Sequence, residues 1–468
     1  MKITKKRGVK VLALLMAATL SIGTLAGCET KDNKKDGKIS ITIANWPAIE
    51  GDELEMYEER KATFEKEHPN VEIIPSEWKF DIKSFYAKAE GGELPTLYTS
   101  HFTEIDLIIG GGYAADISDA LEARGYNDKI NRLVFEQVKN EEGKINAFPY
   151  NPYTLGLAYN AEMFRQAGLM NEDGTPMEPK TWEELAEFAV KIKEKTGKAG
   201  FLLPSSGNGG GWMFSSIAWS YGTKFMKQDE NGKWIATFDS PEATAALQFV
   251  KDLKWKYKVT PANTLIDNAE AYKQYGTENV GMIIAPGTVS WEASTYEMPV
   301  DNFGLMPLPA GPERRVTLLG GTAYFMAPDA TPEQIEACLD WLEMTVNYKA
   351  TDEYKKNTEK KYQNDQKINR YIGARALSIW NQDTDVYQFE IEMIEKYKNS
   401  NLNQVKLYND SLISDVIEIQ PEEPMCCQAL YGILDTCIQK VWTDENADCA
   451  TILKEQNENF QRDYLDSL

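Results

Sequence analysis

Between Ile39 and Ser100 the spacing of apolar residues switches repeatedly between strand and helix periods, and this alternation limits the fold more than any other feature of the chain. In ISITIANW, Ile39, Ile41 and Ile43 alternate with polar residues, the pattern of a strand with one face buried. Leu54, Tyr57 and Phe64 then share one side of a helix expected from Gly51 to His68 and ended by Pro69. Val71–Ile74 reads as a second strand and Lys83–Glu90 as a second helix. In LPTLYTSHF, Leu97, Tyr98 and Thr99 suggest a third strand that runs out into polar residues. Strand, helix, strand, helix, strand is the order of a parallel sheet with helical crossovers.

Later helices announce their ends. In PKTWEELAEFAVKIKEKTG, Thr181 and Glu184 have capping-box spacing, Leu185, Phe188, Ala189 and Ile192 form the apolar stripe, and Gly197 stops the helix. Thr331, Pro332 and Gln334 repeat that grammar before Ile335, Cys338, Leu339 and Leu342, and Ser240-Pro241 opens a helix toward Tyr257. Short β-type runs lie at Gly281–Ala285 and Ala323–Ala327, and from about Asp352 onward the chain reads as mostly helical.

The N-terminus is not expected to join this fold. Lys2, Lys5, Lys6, Arg7 and Lys10 precede the apolar run Val11–Gly27, the order of a secretory signal. Leu25-Ala26-Gly27-Cys28 resembles the lipobox of bacterial lipoproteins, which implies cleavage after residue 27 and lipid on Cys28. An uncleaved anchor, or an ordinary signal with an incidental cysteine, is the alternative; each reading puts the body outside the cytoplasm. Residues 28–38 are polar and aperiodic, a disordered tether. With 42% hydrophobic and 11% aromatic residues, the remaining chain can bury a core of two or three domain-sized units.

Composition and motifs also exclude functions. A net charge of −22 repels phosphate, so nucleic acid is not an expected partner. His68 and His101 are the only histidines and lie too far apart for a two-histidine helical metal site. No nucleophile elbow or phosphate loop is present. SSGNGGGW has the glycines of a phosphate cradle, but Trp212 stands where a third glycine is required. Metal and cofactor are therefore expected to be none. Cys338, Cys426, Cys427, Cys437 and Cys449 lack metal-ligand spacing; buried thiols are the expectation, with a single bridge among the last four as the alternative.

Five stretches, in order, resemble the sugar-type extracellular solute-binding proteins of bacterial ABC importers, the class that includes maltose-binding protein: FEKEHPNVEI, GGYAADISDAL, GKINAFPYNPYTLGLAYNAEMFRQAGL, PKTWEELAEFA, and the region from GTENVGMIIAPGTVSW to GGTAYFM. The resemblance covers most of residues 39–350. It implies an α/β periplasmic-binding-protein-like fold of type II: two lobes, each a mainly parallel sheet flanked by helices, a ligand cleft between them, and a helical C-terminal segment. Lobe 1 would hold residues 39–148 and about 314–348, lobe 2 residues 149–313 and about 349–468. The crossings are expected at Phe148–Tyr153, near Glu313–Leu319 and near Val346–Asp352.

A sugar presents an apolar ring face edged by hydroxyls, so its site needs flat aromatics with amides, carboxylates or hydroxyls at the rim. In open α/β sheets such a site lies beyond the carboxyl ends of the strands. That rule selects Trp46, then Ser100, His101 and Phe102, and Trp291 after Gly281–Ala285. The first crossing adds Asn151 and Tyr153, and the glycine-rich loop adds Asn208 and Trp212, the latter matching a cleft aromatic under the resemblance. Trp380 is a C-terminal candidate. Gly209–Gly211 and Gly320-Gly321 either let backbone amides approach a ligand or make turns. The resulting expectation is a lipid-anchored, monomeric, non-enzymatic receptor that closes over a solute, an oligosaccharide first, and hands it to permease subunits. A polyamine held by Glu50, Asp52 and Glu53 beside Trp46, a secreted carbohydrate-active enzyme using two carboxylates, and a surface adhesion lipoprotein are the alternatives.

Overall fold

The computed structural model describes residues 34, 35 and 37–467. The signal and Cys28 lie outside the described residues. Of the expected tether, Lys34–Lys35 pairs antiparallel with Lys38 and Ile39, so order begins ahead of Ile39; Gly37, at φ 80°, permits the turn.

Lobe 1 is built on β1 (Lys38–Ile43), β2 (Val71–Pro75) and β3 (Leu97–His101), with helices Asp52–Glu67 and Ile82–Glu90 between them. β1 pairs parallel with β2, placing Ile41 opposite Ile73, and meets β3 in parallel at Ile43 and Leu97. The chain then enters β4 (Ala147–Asn160), a 14-residue strand that leaves lobe 1 and continues as the centre of lobe 2. There β5 (Met282–Pro286) and β6 (Phe303–Met306) flank it, both antiparallel. β7 (Val316–Met326) runs back across the gap, and β8 (Glu418–Pro421) pairs parallel with its first residues. β7 is antiparallel to both β3 and β4. The sheets are therefore mixed where mainly parallel ones are expected, because the two strands joining the lobes run in opposite directions beside each other. β8 is also a strand within a C-terminal region that reads as helical.

The junction itself is a bulge. Tyr150 faces Thr322 and Tyr153 faces Gly320, so Asn151 and Pro152 together stand opposite Gly321. Asn151 has φ 45° and Pro152 has no N–H to give, and the ladder is interrupted there. Glycine is required on the facing strand: a Cβ on Gly321 would lie 2.8 Å from the Phe102 ring and 3.1 Å from Pro152 Cα. The second crossing thus falls at Leu319–Thr322, a little later than its expected place, since Val316 and Leu318 still pack in lobe 2.

Each lobe has its own core. Ile41, Ile73, Phe64, Tyr98, Phe148, Phe325 and Trp341 pack in lobe 1. In lobe 2, Leu155, Leu157 and Tyr159 pack on one face of β4 against Trp182, Phe214 and Trp442, and Ala158 packs on the other against Tyr275, Phe303 and Tyr408. Leu377, Ile379, Trp380 and Val386, expected in lobe 2, pack in the core of lobe 1. The five described cysteines are free thiols, and all but the half-buried Cys426 are buried.

Helix caps follow the sequence closely. Thr331 and Gln334 form both bonds of the capping box, Ser240 accepts from Ala243 N–H, and Gly197 closes its helix at φ 72°. Thr181 accepts from Glu184 N–H, but the Glu184 carboxylate takes the N–H of Lys180, one residue before the cap.

Candidate functional site

A cavity of about 910 Å³ lies between the lobes at the junction. Tyr150–Tyr153 of β4 form one wall, Asn131, Val346 and Trp380 come from lobe 1, and Thr288, Trp291 and Tyr408 from lobe 2. Tyr354, Lys361 and Glu390 close it from the helices Asp352–Lys367 and Asp385–Tyr397. Trp291 sits on the short helix Val289–Thr295 that follows β5, and it is 45% exposed, with Lys361 Nζ 5.4 Å and the Arg370 guanidinium 5.8 Å from its ring centroid. An indole so exposed in a concave wall offers a flat apolar face. Elsewhere in the lining, Asn151, Asn347 and Gln382 have side-chain NH2 groups with no acceptor among the described residues.

Three ionisable groups of the cavity, Glu390, Asp383 and Tyr408, have side-chain partners. Tyr354 donates to Glu390 at 3.0 Å, and burial raises the Glu390 carboxyl above its ordinary range despite that bond. Asp383 pairs with Lys129 at 3.2 Å. The Tyr408 phenol, bonded to Thr154 at 3.1 Å, is pushed up to about 12 by burial. Such an arrangement suits binding through ring faces and hydrogen bonds.

Of the residues expected at the site, the structure brings Asn151, Tyr153, Trp291 and Trp380 to this cavity. Trp380 is only 4% exposed, because its ring is packed among Tyr126, Phe148 and Tyr348. Trp46 is elsewhere. At 3% exposed it stacks on Trp341, meets Tyr57 edge-on and donates to Glu58, so it is part of the lobe 1 core and leaves Glu50 and Glu53 without an open aromatic partner for a polyamine.

Phe102, Asn208 and Trp212 lie where the lobes touch. Ser100 and Phe102 are buried and His101 is exposed at the end of β3. Beside them, Gln428 of lobe 2 donates to Thr103 at 3.4 Å and accepts from Asn208 at 3.1 Å. Trp212 is half-buried with its ring edge-on to Tyr153 at 5.9 Å, and its indole N–H has no acceptor.

The glycine loop does something other than either expectation. Asp435 accepts from Asn208 N–H at 2.7 Å and Gly211 N–H at 2.8 Å, so these amides cap the helix Gly209–Ser220 with a buried carboxylate. A Cβ on Gly211 would lie 2.2 Å from the Tyr431 carbonyl oxygen; the glycines let this helix pack directly on the helix Cys427–Thr443. Gly320, similarly, leaves room for the Tyr153 ring.

Sequence reasoning passed over Tyr150, Lys361, Glu390, Tyr408 and Asn409. Thr154 and Tyr408, which bond to each other, are 254 positions apart, and no local pattern marks the second member of such a pair.

Comparison with known proteins places the arrangement. Residues 32–344 match the family described as bacterial extracellular solute-binding protein. A binding protein of Brucella abortus (strain 2308) is 26% identical over 291 residues, 59% of this chain and 64% of that protein, so the chain spans somewhat less than two thirds of that relative's length. The melibiose/raffinose/stachyose-binding protein MelE of Bacillus subtilis is 22% identical over 335 residues, 69% of this chain and 74% of that one. Among solved structures, maltose-bound MalE3 of T. maritima superposes with a TM-score of 0.62 at 20% identity, covering 90% of this chain and 99% of that one. UgpB of Mycobacterium tuberculosis, in complex with glycerophosphocholine, gives 0.65 at 15% identity, covering 92% and 98%.

Proposed function

Because the chain belongs to the bacterial extracellular solute-binding protein family, we propose that it is the receptor of an ABC importer, capturing an oligosaccharide between its lobes and delivering it to a membrane permease. The observation that carries this reading is the inter-lobe cavity, whose lining includes both the exposed Trp291 and the unpartnered amides of Asn151, Asn347 and Gln382. Its volume of about 910 Å³ lies in the upper range of small-molecule sites, room for more than one sugar ring. MelE and MalE3, the relatives that bind melibiose, raffinose and stachyose or maltose, support the same class.

The mechanism is a hinge equilibrium. A solute touching both walls favours the closed arrangement by its differential affinity, and the bulge at Asn151-Pro152 and Gly321 is where the strands can bend. The protein acts as a monomer, with no covalent chemistry. A thermal-shift screen of mono- and oligosaccharides, polyamines and peptides tests the reading. An oligosaccharide should raise the melting temperature of the secreted chain, and Trp291→Ala should weaken that solute by at least ~1 kcal/mol. A panel without any stabilising sugar, or full affinity in the variant, would contradict it.

Lipid at Cys28 fits this role, since a tethered receptor is held at high local concentration near its permease. Cys28→Ser is expected to release the protein or leave it unprocessed. Membrane retention after normal cleavage would argue against the anchor.

A further inference from the structure

Among the described residues, half-buried arginines have partners with one exception. Arg124, Arg314, Arg315 and Arg370 each meet a carboxylate, and Arg60 lies over the Trp341 ring and donates to that residue's carbonyl. Arg375 lines the inter-lobe cavity with no side-chain hydrogen bond or ion pair, and its Nε is shielded from solvent. Its backbone is fixed at the cavity wall: the N–H donates to Asn409 Oδ1 at 2.9 Å, and the carbonyl oxygen lies 3.2 Å from where a Cβ on Gly287 would stand. Three acids line the cavity, Asp128, Asp383 and Glu390, and none of them forms an ion pair with Arg375; Asp383 pairs with Lys129 and Glu390 accepts from Tyr354. Lys361, over the exposed Trp291 ring, is a second cation of the cavity lining, whereas Arg370 near the same ring is paired with Asp365.

The Nε of Arg60 and Arg124 is shielded in the same way, so the distinguishing feature of Arg375 is a guanidinium lining the cavity without a carboxylate, and its desolvation under a bound solute is costly unless that solute brings an anion. Taking the cavity as the solute site, we propose that the solute carries an oxyanion, a carboxylate or a phosphate, which Arg375 binds while a sugar or polyol portion covers Trp291. The guanidinium fork presents parallel donors that match two oxygens of such a group.

Calorimetric titration of the secreted chain with matched probes tests this: trigalacturonate against galactotriose for the carboxylate, sn-glycerol 3-phosphate against glycerol for the phosphate. One acidic probe should bind at least about tenfold tighter than its neutral counterpart, with an advantage that shrinks as salt rises. Which arm shows it identifies the anion. Arg375→Gln should remove the advantage, Arg375→Lys should keep part of it, and the unliganded melting temperature of each variant reports an intact fold. Neutral sugars that bind with no acidic preference, or a preference that survives Arg375→Gln, would overturn the inference while leaving the solute-binding reading standing. No binding by any probe or neutral oligosaccharide would overturn both.

Discussion

Glu422 accepts from the Tyr431 hydroxyl at 2.7 Å at the foot of the lobe contact, where burial, with the Glu104 carboxylate nearby, pushes its carboxyl up to about 8. Glu423, bonded by the Trp219 indole N–H at 2.9 Å, is pushed up to about 7 by burial as well. Both folded-state values exceed the ordinary 4.5, so the native protein holds protons that the unfolded chain releases. Stability from these groups is full below pH about 4.5 and is lost as pH rises through 7 and 8. Glu422→Gln keeps an acceptor for Tyr431 without a charge to bury. It should leave the melting temperature unchanged at pH 5 and raise it by about 2 °C or more at pH 8.5; an unaltered pH slope would refute the assignment. Nothing in PEEPMCC announces this pair, because desolvation comes from segments distant in sequence. The place of Trp291 in the cavity lining agrees with its reading as an aromatic just past a strand end. Trp46 meets the same rule yet serves the core, since an indole after a strand can be covered as readily by its own lobe's helices as by a solute. Arg375 carries no local signal at all.

Among the elements, the strand–helix alternation from Ile39 to His101 and the caps at Ser240 and Thr331 could be read directly, because each depends on neighbours within a turn or two. The glycines at 209–211 could not, because their reason is another helix more than two hundred positions away. Gly211→Ala drives a methyl into the backbone of Tyr431 and should cost about 1–3 kcal/mol, read in a thermal or denaturant melt. A variant as stable as the parent would show that the two helices are not held at this distance. The sense of the sheets was equally illegible: β4 and β7 make the sheet mixed, and their antiparallel pairing is set by the chain's two passages between lobes, which no single strand's pattern encodes.

At the scale of the molecule, the separate cores of the two lobes are joined by strands whose ladder is interrupted at one point, beside a cavity lined from both lobes. The family-like stretches made this division readable. They did not show that Leu377–Val386 returns to lobe 1, so that the C-terminal segment packs on both lobes and walls the cavity. A solute held between the lobes must shift the hinge equilibrium, whereas a solute on one lobe's surface need not. Small-angle X-ray scattering of the secreted chain, with and without the sugar that most raises its melting temperature, measures that difference directly. Saturable contraction of the radius of gyration in the parent, lost at the same sugar concentration in Trp291→Ala, is the predicted result; a bound sugar that leaves the radius unchanged would contradict capture between the lobes.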